Sequence, residues 1–305
     1  MPPTHFEIID PSFKRFVLPT AHLECLWSGG RWTEGPAYFA AGRYLVFSDI
    51  PNDQMLRFDE TDGSVSVFRA PAMHSNGNTR DGQGRLITCE HRGRRVTRTE
   101  HDGSITVLAD KFDGKPFNSP NDAVVHPDGA IWFTDPTYGI DMDYEGDKAE
   151  SEIGASHVYR LDPQTGAVDA VATDFVKPNG LAFTPDYQEL LVVDTGATHV
   201  EDGPRHMRRF TVVDERRLSG GELFATCTEG LFDGFRFDET GHIWTSAGDG
   251  VHCLNPHGEL IGKLKVPEVT ANVCFGTRKR NRLYICGTTS LYASFVNATG
   301  VAYVM

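Results

Sequence analysis

Six residues that carry a side-chain oxygen, Glu34, Asn76, Asn121, Asn179, Asp233 and Asn272, each stand directly ahead of a short apolar strand. A second apolar strand opens about ten residues after each of them. Two carboxylates and four amides gathered at one place would crowd unpaired oxygens together, which is costly unless a cation sits among them. Oxygen donors of this kind suit one divalent cation, calcium first, with zinc, manganese and magnesium as alternatives. Such an ion polarises an ester or lactone carbonyl and stabilises the oxyanion formed when water attacks. Calcium lowers the pKa of water only weakly, so a base is needed, and Asp233 is the candidate. Asn-Gly and Asp-Gly pairs also suit tight turns, and one copy would mean no more than that. Six copies at a matching offset, one of them headed by Glu34, a poor turn former, mean more.

The elements that must position these residues are read from the same repeat. The anchors are 39 to 58 residues apart, the range for propeller blades of four antiparallel strands with insertions. In a propeller each innermost strand lines a central channel, so its first residue sits at one mouth and the six anchors form a ring. No window of eleven residues or more carries a helical period, and the strands are rich in Val, Ile, Phe and Tyr. The expected fold is therefore all-β, a six-bladed β-propeller over residues 22–305, preceded by an N-terminal extension over 1–21. Closing the ring calls for a strand from one terminus to complete a blade built from the other. The stretch His22 to Trp27 is expected to pair with the last blade, near Tyr292 to Val304.

The net charge of −13 argues against nucleic acid and anionic membranes as partners, because their phosphates would repel the chain. The six cysteines, at 25, 89, 227, 253, 274 and 286, form no Cys-x-x-Cys pair and no zinc spacing. Most fall inside strands, where free cysteine behaves as a small buried hydrophobe. Disulfides stay open, with a reduced cytoplasmic chain as the expectation. Residues 1–19 carry no apolar run that reads as a signal peptide, and nothing reaches the length of a membrane span. A nucleophile elbow, a zinc-protease helix and a phosphate-cradling glycine loop are all absent from the sequence.

Two copies of the repeat carry long insertions. Residues 138–156 include Asp141, Asp143, Glu145, Gly146 and Glu152, close to a calcium-loop spacing. Glu at the fifth position and Lys148 at the eighth break that pattern, so a mobile acidic loop at one rim of the channel is expected instead. Residues 197–208 hold His199, Glu201, His206 and Arg208, and read as a lid or a solvated excursion.

The motifs Glu34-Gly-Pro, Pro120-Asn121-Asp122, Pro178-Asn179-Gly180, Asp233-Gly234 and Cys274-Phe275-Gly276, each heading a blade, resemble those of the gluconolactonase, senescence-marker-protein and luciferin-regenerating-enzyme family. Residues 84–91 and 158–166 look like its bacterial gluconolactonase branch, and the resemblance runs from about Trp27 to Tyr303. It implies a propeller with one catalytic divalent cation that hydrolyses sugar lactones. Carried over by position, it implies metal carboxylates at Glu34 and Asp233 and a metal amide at Asn179. It sets Asn121 between metal and substrate and makes Asp233 the base. The more distant paraoxonases use a histidine pair; His91 matches one member, but Asn76 stands where the other would be, so that dyad is incomplete. Asn76 and His91 remain candidates to line the substrate site. Animal members carry Arg two residues before the third anchor, and Ser119 stands there, so the sugar contact must differ.

The expected activity is metal-dependent opening of a sugar lactone, glucono-1,5-lactone to gluconate, by a monomer or weak homodimer. An aryl-ester or organophosphate hydrolase using the same site, and a non-catalytic propeller whose calcium is structural, are the alternatives.

Overall fold

A computed structural model describes residues 5–302 of the chain. Six antiparallel sheets of four strands each are arranged as the blades of a propeller. Their innermost strands are Thr33–Phe39, Ser75–Arg80, Ala123–Val125, Pro178–Phe183, Phe235–Phe237 and Thr270–Gly276. Within each blade the strands follow as a simple meander, except where the N-terminal segment adds a strand to the fifth and sixth blades.

Burial falls from the channel outwards, and residue choice follows it. The second strands Leu86–Glu90, Ile131–Asp135 and Ile243–Ala247 are buried along their whole length, since both faces meet neighbouring blades. Each opens on apolar residues and turns polar towards its end, where Thr88, Thr134, Thr245 and Ser246 are buried with the rest. The outermost strands face water, and leave Val67, Val107 and Leu223 exposed. The core consists of apolar layers between adjacent blades, as where Trp132 meets Phe183 edge-on with ring centroids 5.5 Å apart.

The expected closure is present. Strand Glu24–Ser28 pairs antiparallel with Ser290–Phe295, with Cys25 opposite Tyr292, and completes the sixth blade. Tyr303 and Val304, at the end of the range expected to receive it, lie outside the described residues. The stretch before it is part of the body of the fold as well. Strand Phe6–Ile8 adds a fifth, outer strand to the fifth blade, opposite Leu264 to Gly262. The 3₁₀ helix Pro11–Phe16 then folds Phe13 and Phe16 over Trp244. Gly262 makes room for this, because a Cβ there would lie 2.1 Å from the Phe13 ring. Burying each of these phenylalanines is worth about 1.5–3 kcal/mol. All six cysteines are free, and Cys25 alone among them is exposed. Among the described residues no helix is long and apolar enough to cross a membrane.

Candidate active site

The anchors are held in place by a device that repeats between blades. The second strand of the first, third and fourth blades ends in a buried aspartate, and that aspartate accepts backbone N–H groups from the loop entering the inner strand. Asp49 accepts Arg31 N at 2.9 Å and Trp32 N at 3.5 Å. Asp135 accepts Asn118 N at 2.9 Å and Ser119 N at 2.8 Å. Asp194 accepts Val176 N and Lys177 N, both at 2.9 Å. In all three the donors stand three and two residues before the anchor, at Glu34, Asn121 and Asn179. These carboxylates, just past the second strands, therefore do turn chemistry and form no second site.

Neighbouring blades clamp the anchor backbones. Ser48 Oγ donates to Asn76 O at 2.8 Å, Gly77 N to Asn121 O at 2.7 Å, and Thr134 Oγ1 to Asn179 O at 2.8 Å. The glycine after an anchor serves this close approach. A Cβ at Gly35 would lie 2.1 Å from Asn76 O, and one at Gly180 would lie 2.0 Å from Asp233 O. Asn-Gly in this chain is thus a signature of blade contact more than of a turn.

Glu34, Asn76, Asn121, Asn179 and Asp233 line one cavity of about 350 Å³ at this mouth of the channel. That volume is in the range that encloses a small organic ligand. Their hydrogen bonds decide which atoms remain free. Glu34 Oε2 accepts Gly35 N at 2.5 Å and Asn272 Nδ2 at 2.9 Å, which leaves Oε1. Asn179 Nδ2 donates to Thr195 Oγ1 at 3.3 Å, which leaves its carbonyl oxygen. Asn76 Nδ2 donates to His91 Nε2 at 3.2 Å, with the same result. Asn272 is consumed, because its own oxygen accepts Val273 N at 2.8 Å, so the sixth member of the ring supports Glu34 and adds no free donor.

His91 requires a correction. It lies fully buried behind Asn76 and does not line the cavity. Its Nδ1 donates to Glu145 O at 3.1 Å, and burial pushes its pKa down to about 4. It is a neutral ring that fixes the Asn76 amide and tethers the rim loop, with no atom left for substrate.

The carboxyl groups here resist ionisation. Burial, with Asp122 nearby, pushes Glu34 up to about 8. Asp233 is driven well above the usual carboxylate range by burial, then by repulsion from Glu34, Asp122 and Glu145. Protonated acids this close together are poised to exchange protons for a cation. The free oxygens, from the Glu34 and Asp233 carboxyls and from amides, fit a hard divalent ion better than a soft one.

Several cavity residues were not legible in the sequence. The 138–156 insertion is tied down, not loose: Arg92 pairs with Asp147 at 3.0 Å, and Ser151 Oγ donates to Asn118 Oδ1 at 2.5 Å. It turns the Glu145 side chain into the cavity, where burial, then Asp141, pushes that carboxyl up to about 7. Asp141 instead pairs with Lys177, and Asp143 Oδ1 accepts Lys148 N at 2.7 Å, so the acidic residues scatter and no calcium loop forms. The second insertion meets the first, with Tyr138 OH bonded to Thr195 Oγ1 at 2.6 Å and Thr198 Oγ1 at 2.9 Å. It sets His199 on the cavity wall, with Nε2 3.7 Å from Asp141. The acidity of the first loop was the available signal for Glu145, and for His199 only its place in the second insertion. Ser119 Oγ donates to Pro136 O at 2.7 Å and accepts Gly139 N at 2.9 Å, which fixes the loop and spends the side chain.

A family model described as the SMP-30/gluconolactonase/LRE-like region matches residues 32–289. A gluconolactonase from Zymomonas mobilis subsp. mobilis is 30% identical over 275 residues, covering 84% of this chain and 76% of the relative. A pentonolactonase from Haloferax volcanii is 27% identical over 267 residues, covering 84% and 81%. The solved structure of a gluconolactonase from Xanthomonas campestris has a TM-score of 0.89 and 36% identity, covering 97% of this chain and 95% of that one.

Proposed function

The chain belongs to the SMP-30/gluconolactonase/LRE-like family and is a lactone hydrolase, and from that premise we propose that it opens an aldonolactone such as glucono-1,5-lactone at the cavity headed by Glu34 and Asp233. One observation carries the reading: Glu34, Asn121, Asn179 and Asp233 line a single cavity of about 350 Å³, with carboxyls whose protons a cation would displace.

Glu34, Asn179, Asp233 and Asn121 would hold a divalent cation, calcium before zinc, manganese or magnesium. When bound it supplies Lewis-acid polarisation of the lactone carbonyl. Asp233 takes the proton of the attacking water. Its backbone is fixed for this task, since Asp233 N donates to Ser246 Oγ at 3.1 Å and Gly234 N to Ala271 O at 2.8 Å. Water adds to the carbonyl carbon, the bond from that carbon to the ring oxygen breaks, and the ring oxygen leaves as a hydroxyl with the proton that Asp233 had taken. The product is an aldonate. Asn121 borders cation and substrate, and the free Asn76 oxygen accepts from a sugar hydroxyl. With Ser119 spent on the loop, the sugar contacts fall to the rim, to Glu145, Tyr138 and His199.

The test is acid release from glucono-1,5-lactone after chelator treatment and add-back of calcium, zinc, manganese or magnesium. Hydrolysis restored by one of these metals supports the reading and names the cofactor. Rates that stay at the spontaneous value with every metal would overturn it.

A further inference from the structure

The far mouth of the same channel has the opposite chemistry. A cavity of about 130 Å³ there is lined by Arg80, at the end of the second blade's inner strand, and Arg236, in the fifth. Its walls include Val124, Val125 and Phe275. Arginines in this acidic chain are mostly paired with carboxylates. Those that form no ion pair, Arg15, Arg31, Arg43, Arg205, Arg216 and Arg278, are otherwise exposed to water. Arg80 is half-buried, and among the described residues its guanidinium has neither a hydrogen bond nor an ion pair. Arg236 has a side chain only 11% exposed; its Nη1 donates to Phe235 O at 2.6 Å, and its nearest carboxylate oxygen, on Asp122, is 4.0 Å away. Its Nε and Nη2 have no partner among the described residues. Arg280 completes the rim but is neutralised by Glu239 at 2.7 Å.

A guanidinium withdrawn from water without a counter-charge loses hydration and gains nothing in return. Two of them on one small cavity also repel each other. A single oxyanion between them would remove both costs, and the planar fork of arginine matches the paired oxygens of a carboxylate or phosphate. From the unpaired guanidinium of Arg80 and that of Arg236, whose one carboxylate neighbour lies 4.0 Å away and whose Nε and Nη2 stay free, both on this cavity, we infer that the far mouth is a binding site for a small oxyanion, a carboxylate or a phosphate. Its volume is well under half that of the lactone cavity, so it takes an ion and not a sugar ring. The site stands independently of lactone hydrolysis.

Isothermal titration of the full chain with inorganic phosphate, and separately with acetate, at constant ionic strength tests this. At least one anion is expected to bind saturably with one site per chain. Arg80→Gln and Arg236→Gln should each weaken that binding about tenfold or more, the scale of one lost charge-assisted hydrogen bond. Asp233→Asn, at the other mouth, should leave it unchanged. No saturable binding of either anion, binding that survives both arginine variants, or binding lost in Asp233→Asn would each overturn the site. If Arg236→Gln does not fold, Arg80→Gln still decides, because Arg80 makes no bond within the described chain whose loss would unfold it.

Discussion

The two mouths of the channel are made from opposite ends of the same six strands, yet one gathers carboxyls and the other guanidiniums. At the first mouth Glu34, Asp233 and Glu145 are pushed towards neutrality by burial and by one another. At the far mouth Arg80 and Arg236 cannot shed their charge in the same way, because arginine stays protonated at any pH a protein survives. Asp122 lies between, raised by burial and held down chiefly by Arg236, with its Oδ2 buried and unbonded. The difference teaches how a rigid scaffold separates two charge problems. The acidic end can shed its charge by keeping its protons, whereas the basic end needs an anion or must bear its charge.

The sharpest way to break the comparison is to disable one mouth alone. Asp233→Asn should lower kcat/KM for glucono-1,5-lactone by about 10²–10⁴-fold, the usual worth of a positioned general base, with the far-mouth anion binding intact. Steady-state acid release, with circular dichroism as the folding control, checks it; a loss under tenfold would remove Asp233 from the base role.

A smaller effect is expected from Gly180→Ala. The new Cβ would lie 2.0 Å from Asp233 O, so the blade contact must open and carry Asp233 with it. The loss of stability should be about 1–3 kcal/mol by chemical denaturation. Activity should fall by about a hundredfold, as for a misplacement of order 1 Å. A variant as active and stable as the parent would mean that the anchor ring is softer than its hydrogen bonds indicate.

The acidic mouth should also write itself into the pH dependence of stability. Glu34 is raised from 4.5 to about 8 and Glu145 from 4.5 to about 7 in the folded chain, so the fold binds these protons more tightly than the unfolded chain does. That contribution is complete below pH 4.5 and is lost as pH rises through 7 to 8. Thermal melts of the chelator-treated protein should therefore fall steadily across that window. Saturating metal should flatten the slope and release protons on binding, seen as a buffer-dependent heat in titration calorimetry. A metal-free protein with a level profile from pH 5 to 8 would contradict the raised carboxyls.

What was readable in the sequence was what the sequence repeats. Six anchors at one offset from paired apolar strands fixed blade number, channel and most of the ring, because each blade must solve the same packing problem. The repeat could not say which way an amide faces. Asn179 and Asn76 present oxygen only because Thr195 and His91 take their nitrogens, and Asn272 drops out because Glu34 and Val273 use both of its ends. Nor could it say that His91 stands one layer behind the cavity. Glu145, Tyr138 and His199 lie in insertions, which by definition break the period, and they meet only because Tyr138 docks on Thr195 and Thr198. Residues 6–16 escaped for a similar reason: Phe6, Phe13 and Phe16 follow no strand alternation, and their place on the fifth blade depends on the space left by Gly262, far along the chain.

The smallest expected effect isolates the far mouth. Arg80 touches no catalytic candidate and has no bond to lose, so Arg80→Gln should leave kcat/KM within about twofold and stability within about 0.5 kcal/mol in anion-free buffer, like an ordinary surface change. Relief of an unpaired, half-buried charge could even raise the melting temperature slightly. Adding phosphate or acetate should then stabilise the parent and not the variant, since a ligand stabilises only the state that binds it. If instead Arg80→Gln cost as much activity as Gly180→Ala, the two mouths would be coupled through the Arg236 and Asp122 contact at 4.0 Å, and the channel would have to be read as one electrostatic unit.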